Sequence, residues 1–257
     1  MSVRFNIIIK KAAAVLLAAA LIISGTGGIG VRADQTAATG SYECTTYKYT
    51  VEVTDYSTTF TGANATIDVV SSYELFQIQD DSKAAKKINK YLRDRMNAEY
   101  KPAGSDEDEG YGILELAQTD CDERSEVYPP YYDTYSIDIA YRDNDYLSLT
   151  QGRYWYAGGV SNTFCTGLTF DLATGKRAKI TDVTGLTLKK FKKKLLAAIK
   201  ADPESKGYET AYKGKVKSMK AGDFDFYLLP DKRCAVTFEP YEPLGWGGWS
   251  REYVIEY

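Results

Sequence analysis

Alternating apolar and polar positions predict β-strands along much of this chain of 257 residues. Residues 47–54 and 135–141 are the clearest runs, because every second side chain is apolar, as in a strand with one buried face. Turn residues 142–145 follow, and a return strand runs from Tyr146 toward Tyr156, which predicts a hairpin. Further strands are predicted within residues 65–78, 163–172, 224–229, 234–238 and 252–256.

Two stretches have helical spacing instead. Residues 82–100 are predicted to form an amphipathic helix, and a second helix, rich in lysine, begins near Leu188. Strands in meanders, interrupted by two helices, predict an α+β fold with antiparallel β-meanders and two amphipathic helices packed on the sheet. The lysine-rich face is either the solvated side of a packed helix or a contact surface for membranes or acidic partners. The apolar positions of the two helices are Ala85, Ile88, Leu92 and Met96, then Leu188, Phe191, Leu195 and Ile199.

The first 33 residues have the three-part pattern of a secretory signal peptide. Arg4, Lys10 and Lys11 precede an apolar run over residues 12–23, and Val31-Arg32-Ala33 offers a cleavage site. The absence of charge over residues 12–31 leaves an uncleaved anchor as the alternative. We expect residues 34–43 to be a disordered lead-in, 44–130 an N-terminal α+β module and 131–257 a C-terminal α+β module, all outside the cytoplasm.

Four cysteines, Cys44, Cys121, Cys165 and Cys234, lie in the part that would be exported. An even number of cysteines outside the cell favours disulfide bonds, and no C-x-x-C spacing indicates a redox motif or a zinc ribbon. Two disulfides are therefore predicted, with three pairings open. Cys44–Cys121 and Cys165–Cys234 are favoured because each pair then falls within one half of the chain.

The charged residues limit the chemistry and suggest a partner. The chain has no histidine, which excludes Ser-His-Asp triads, Cys-His pairs and histidine-ligated metals. Residues 176–220 carry 14 basic and 4 acidic side chains, whereas the rest of the chain after residue 33 carries 14 basic and 31 acidic ones, a net charge of −17. Such a field repels nucleic acid and attracts cationic proteins, although plain solubility is an equal explanation.

The order of four motifs resembles a known bacterial family. These motifs are Tyr154-Trp-Tyr-Ala-Gly-Gly159, Leu168-Thr-Phe-Asp-Leu-Ala-Thr-Gly175, Ile180-Thr-Asp182 before the basic helix, and Val236-Thr-Phe-Glu-Pro-Tyr-Glu242 with Tyr253-Val-Ile-Glu-Tyr257. Over residues 44–257 the chain resembles an exported domain of largely unknown function, which forms the extracellular part of the lysozyme-sensing anti-sigma factor RsiV and accompanies the deacetylase domain of PdaC. The family often has Gly-Gly-Ala-His where this chain has Gly158-Gly159-Val160-Ser161, so no role of that histidine carries over.

The resemblance implies a non-enzymatic binding domain on the outside of a Gram-positive bacterium, with a cationic, lysozyme-like protein as partner. A peptidoglycan or other cell-wall glycan is the alternative ligand, since tryptophan rings can stack on sugars. We expect no catalytic residue, cofactor or metal site, and membrane contact only if the leader is uncleaved. A hydrolase with paired carboxylates is a third hypothesis, for which Glu239 and Glu242 offer acids but no visible pairing. The predicted binding residues are Trp155, Tyr156, Gly158, Gly159, Trp246 and Trp249, although these aromatics would also serve to cover the ends of the sheet.

Overall fold

Two β-sheets form the framework of the residues that the computed structural model describes. These residues are 49–62, 65–99, 113–123, 130–240, 242 and 250–257. The larger sheet has the strand order β1-β2-β3-β4-β5-β6 and the smaller one β7-β8-β9. The strands are β1 Tyr49–Thr61, β2 Thr66–Ile78, β3 Tyr131–Arg142, β4 Tyr146–Ala157, β5 Val160–Asp171, β6 Lys176–Arg177, β7 Asp225–Leu229, β8 Arg233–Phe238 and β9 Arg251–Glu256. The predicted α+β class is confirmed.

Neighbouring strands are antiparallel except at one place. β2 and β3 pair in parallel, with Val69 beside Tyr131 and Tyr73 beside Tyr135. Parallel neighbours need a long crossover connection, and the helices Lys83–Glu99 and Ile113–Glu123 belong to the segment that links these two strands. The larger sheet thus contains strands from both sides of residue 130, within one structural unit of residues Cys44–Tyr257. The leader and lead-in expected at residues 1–43 lie outside the described residues.

Helices cover the outer faces of the sheets. Their bounds are α1 Lys83–Glu99, α2 Ile113–Glu123, α3 Ile180–Thr184, α4 Leu188–Ala201 and α5 Glu209–Ser218, with a 3₁₀ turn at Pro203–Ser205. Both predicted amphipathic helices are present as α1 and α4. The Oγ atom of Ser82 accepts a hydrogen bond from the Ala85 amide at 3.1 Å, which caps α1 as its sequence predicts. In the described part of the chain, no helix has the length and apolar character needed to cross a membrane.

Each sheet has a hydrophobic core on its helical side. Ile88 and Leu92 of α1 pack with Leu149 and Phe170 of the larger sheet. Phe191 and Leu195 of α4 belong to a second core, which includes Phe226, Val236 and Ile255 of the smaller sheet. The apolar stripe of each helix is therefore buried, and its charged face remains in solvent.

The two sheets meet through a buried polar seam. The hydroxyls of Ser148 and Thr169 lie 2.8 Å apart. Thr169 donates to the carbonyl oxygen of Phe226 at 2.8 Å, and the Leu228 amide donates to Ser148 Oγ at 3.0 Å. Because these buried groups satisfy one another, the seam fixes how the sheets pack without leaving an unpaired polar atom among the four.

The predicted Cys165–Cys234 disulfide is not formed in the structure. Both residues are buried free thiols. Cys234 points into the core beneath α4, whereas the thiol of Cys165 interacts with Glu252, on the other face of the smaller sheet. Strand alternation separates these faces, and a disulfide requires Cβ atoms about 3.5–4.5 Å apart. Cys121 is buried on α2, and its proposed partner Cys44 lies outside the described residues.

Candidate binding site

Gly158 and Gly159 form the tight turn between β4 and β5. Both have positive φ angles, 59° and 102°, and a two-residue loop of this kind matches the twist of an antiparallel hairpin. Gly158 and Gly159, predicted from the sequence as binding residues, therefore form a hairpin tip. Val160, directly after it, is 57% exposed. The tip therefore projects an apolar side chain into solvent.

Trp155 and Tyr156 are the last aromatic residues before this tip. Alternation sends their side chains to opposite faces of β4. Both are half-buried, and both pack against the small core formed where α2 covers the end of the sheet. That core consists of Ile67, Val69, Ile113, Ala117, Cys121, Tyr131 and Ala157. Each ring therefore supports the sheet end and still presents part of its surface to solvent.

A tyrosine-rich surface occupies the sheet face that carries Tyr156. Tyr132 pairs with Tyr156 across β3 and β4, and Tyr154 pairs with Thr163 across β4 and β5. The rings of Tyr132 and Tyr154 lie 6.5 Å apart between centroids. We call Asp68, Tyr132, Tyr154, Tyr156 and Thr163 the tyrosine face. Its four strand-centre residues are half-buried, and Asp68 is exposed.

The phenols of Tyr132 and Tyr154 remain protonated at neutral pH. Burial raises the pKa of Tyr132, and the neighbouring Tyr154 and Asp68 raise it further. Burial also raises the pKa of Tyr154, with a further contribution from Tyr156. Each phenol can therefore donate and accept hydrogen bonds while its ring offers apolar area, the combination that makes tyrosine common in binding interfaces.

Ser250, the residue that follows the predicted Trp246–Trp249 stretch, is hydrogen-bonded to β5 at the tyrosine face. Its amide donates to the carbonyl oxygen of Thr163 at 2.9 Å, and its Oγ accepts from the Cys165 amide at 2.8 Å. Trp246 and Trp249 themselves lie outside the described residues. Their chain neighbour Ser250 is fixed to β5 of the hairpin.

Acidic side chains surround this end of the sheet. Asp122 lies on α2 beside Gly62, where the amide of Ala65 donates to the Cys121 carbonyl oxygen at 3.1 Å. Asp120, two residues earlier on α2, accepts a hydrogen bond from the Tyr131 hydroxyl. Together with Asp68 on the tyrosine face, these carboxylates give the region a negative potential. Sequence analysis missed α2 and therefore missed its acids.

The opposite face of the same strands carries a buried polar network. Gln151 donates to the Tyr73 hydroxyl at 2.6 Å and accepts from Arg95 Nε at 2.6 Å. Arg95 also pairs with Glu99 at 2.7 Å. Arg153 makes a bidentate pair with Asp133, at 2.8 and 2.9 Å. Every one of these groups has a partner in the sheet or on α1. The network therefore fixes the position of α1 on the strands.

The charge of Glu239 acts on Glu99, an interaction that the sequence did not indicate. Burial raises the pKa of Glu99 and the pKa of Glu239. The negative charge of Glu239 raises the pKa of Glu99 further. The positive charge of Arg95 lowers both pKa values and so opposes these shifts. The acids considered from sequence were Glu239 and Glu242, but Glu242 binds Lys215 at 2.7 Å. Among the described residues, no three His, Cys, Asp or Glu side chains are grouped so that they could hold a metal ion.

The chain is similar to solved structures of DUF3298-family proteins, which are bacterial domains of unknown function. One, from Bacteroides fragilis NCTC 9343, has a TM-score of 0.50 and 16% sequence identity, and the match covers 82% of this chain and 92% of that one. Another, from Pseudomonas aeruginosa PAO1, has a TM-score of 0.48 and 10% identity over 82% and 91% of the two chains.

These likenesses extend to the fold alone. At 16% identity with the Bacteroides fragilis protein, residue roles cannot be transferred from the fold. No protein-family model matches the sequence, and no curated protein matches it. The functional argument therefore depends on the side chains of the site.

Proposed function

We propose that this protein is an exported, non-enzymatic binding domain that recognises a cationic protein, such as a lysozyme-like enzyme acting on the cell wall. The observation that carries the proposal is the hydrogen bond of Ser250 to Thr163. It fixes the chain at Ser250 to β5, which supports a single surface built from the tyrosine face and the hairpin tip. Loops and strand ends on a rigid sheet are common positions for binding residues.

The charge of the surface supports a basic partner. Asp68 belongs to the tyrosine face, Asp120 and Asp122 lie on α2 at the same end of the sheet, and the guanidinium of Arg153 is already paired with Asp133. A patch with this charge accelerates encounter with a cationic protein and discourages acidic ones. Half-buried tyrosines would supply the contact area, at a low cost in side-chain entropy.

The sequence supplies the compartment and the partner class. Residues 1–33 have the pattern of a signal peptide, which would place the domain on the outside of a Gram-positive cell. The resemblance of residues 44–257 to the extracellular part of RsiV makes lysozyme the first partner to test. The lack of histidine, together with the structural role of Arg95 and Arg153 in packing, favours binding over catalysis.

A cell-wall glycan is the second candidate. The favouring observation is the pair of half-buried rings of Tyr132 and Tyr154, 6.5 Å apart on one face. Aromatic rings presented in this way can stack on sugar rings. Recognition of that kind depends little on ionic strength, whereas recognition of a cationic protein by acids weakens with salt.

The test measures binding of residues 34–257 to lysozyme and to purified peptidoglycan at about 50 and 200 mM salt. Lysozyme binding with an association rate that falls as salt rises is the expected result. Asp68→Lys with Asp122→Lys should slow association at least about tenfold, because both change an attractive charge to a repulsive one. Asp81→Lys is the matched control, since this fully exposed acid lies at the other end of β2.

Two results would contradict the proposal. If the domain sediments with peptidoglycan and ignores lysozyme, the glycan alternative replaces it. If Asp81→Lys slows association as much as the pair at the tyrosine face, the effect is one of net charge and the site is wrong.

A further inference from the structure

A lysine-rimmed groove lies on the smaller sheet's helical layer, in a region that the proposed function does not use. It has a volume of about 600 Å³, within the range of ligand sites, and lies between α4 and α5. Leu188 and Leu196 of α4 form its apolar floor. Lys189, Lys192 and Lys193 of α4 and Lys217 of α5 form its rim.

The charges of the rim are not neutralised by the part of the chain that the structure describes. Lys192 donates to the carbonyl oxygen of Lys217 at 2.8 Å, which ties the two helices together but leaves both positive charges in place. No carboxylate among the described residues forms an ion pair with any of the four lysines. The groove therefore combines four ammonium groups with an apolar floor.

We propose that this groove binds an acidic amphipathic peptide segment of a partner protein. The apolar floor between two helices is the geometry that accepts the apolar side chains of a segment, spaced as on one helix face. The lysines would pair with carboxylates that flank those side chains. Charge complementarity requires the bound segment to be acidic, because residues 176–220 have 14 basic and only 4 acidic side chains.

Two other anionic occupants fit less well. Insertion into an anionic membrane requires an exposed apolar helix face, and the apolar residues Phe191, Leu195 and Ile199 of α4 are buried in the core. Polyphosphate-like chains are usually held by arginine forks, which bind phosphate oxygens in pairs, and they gain nothing from leucines. Anionic vesicles and polyphosphate are therefore included as competing ligands in the experiment.

The experiment uses fluorescence anisotropy of a labelled synthetic peptide of about 15 residues, with leucines at helical spacing and glutamates between them. Saturable binding to the wild-type protein is expected, at least about tenfold tighter than binding of a peptide with the same residues in scrambled order. Lys189→Glu, Lys193→Glu and Lys217→Glu combined should weaken binding by more than about tenfold. These side chains are exposed, so the melting temperature should stay close to that of wild type.

Lys200→Glu is the control, because it makes one such charge reversal on α4 outside the groove. Its affinity should stay within about twofold of wild type. Equal binding of the scrambled peptide, equal weakening by Lys200→Glu, or no peptide binding would each overturn the proposal. So would a preference for polyphosphate or for vesicles of phosphatidylglycerol and phosphatidylcholine. None of these variants touches the tyrosine face, so lysozyme binding reports separately on the proposed function.

Discussion

Gly167 of β5 lies directly against the backbone of Phe226 in β7, where the two sheets meet. A Cβ atom at position 167 would lie 2.7 Å from the Cα atom of Phe226, closer than any real side chain tolerates. The Gly167 amide also donates to Thr237 Oγ1 of β8 at 3.1 Å. A side chain is therefore excluded here, and the packing of the sheets depends on a glycine.

Gly167→Ala should destabilise the protein by about 2–3 kcal/mol, because the methyl group must push the two backbones apart. Gly214→Ala is the control: this glycine lies inside α5, nothing lies within 4 Å of its Cβ position, and alanine there should stabilise by about 0.5–1 kcal/mol. Urea unfolding measures both. Equal stabilities of Gly167→Ala and wild type would contradict the described packing of the sheets.

Glu99 should make stability depend on pH. Because burial raises its pKa in the folded state, the folded protein holds the Glu99 proton more tightly than the unfolded chain. At neutral pH the buried, charged carboxylate lowers the free energy of unfolding. This destabilisation disappears as the carboxylate takes up a proton, when the pH falls through the raised pKa toward the ordinary value of 4.5. Wild type should therefore gain unfolding free energy relative to Glu99→Gln as pH falls over this range.

Urea unfolding of both proteins at several pH values measures this difference. The variant also loses the Arg95 pair at every pH, so the slope of the difference with pH, rather than its size, is the readout. A slope of the opposite sign would mean that the Arg95 pair outweighs burial.

The buried thiols should resist alkylation until the protein unfolds. Burial raises the pKa of Cys234 to about 12, and burial with the nearby Glu252 raises that of Cys165. Since the thiolate is the reactive form, iodoacetamide should leave both unmodified in the native protein. In denaturant without reductant, peptide mapping should find both labelled. Recovery of a disulfide-linked peptide containing Cys165 and Cys234 would contradict the structure.

The pattern of apolar and polar residues predicted those strands and helices that have one apolar and one polar face. The alternation over residues 135–141 identified β3, and the spacing of Ile88 and Leu92 identified α1. The start of β3 at Tyr131 was missed, and with it Tyr132, because aromatic and proline residues there interrupt the alternation. The apolar residues of α2 recur at helical spacing, so the sequence does indicate this helix despite its acidic residues. They are Ile113, Leu116, Ala117 and Cys121.

Long-range relationships could not be read from the chain. The Cys165–Cys234 pairing could not be judged from the sequence, because sequence separation says nothing about which face of the smaller sheet carries Cys165 or Cys234. The parallel pairing of β2 with β3, and the interaction of Glu99 with Glu239, depend on how the sheets assemble. The candidate site likewise required the register that sets Tyr132 beside Tyr156.

The most direct test of the proposed function is the affinity of residues 34–257 for lysozyme with and without the tyrosine face. Tyr132→Ala with Tyr154→Ala should raise the dissociation constant at least about thirtyfold, as loss of central aromatic contacts costs 2 kcal/mol or more. Tyr49→Ala, at a residue 40% exposed on the edge strand, is the matched control and should leave the constant within about twofold. Isothermal titration calorimetry, with thermal melts to establish folding, gives the values. A folded double variant that binds lysozyme as tightly as wild type, or a wild-type domain that does not bind it, would contradict the account.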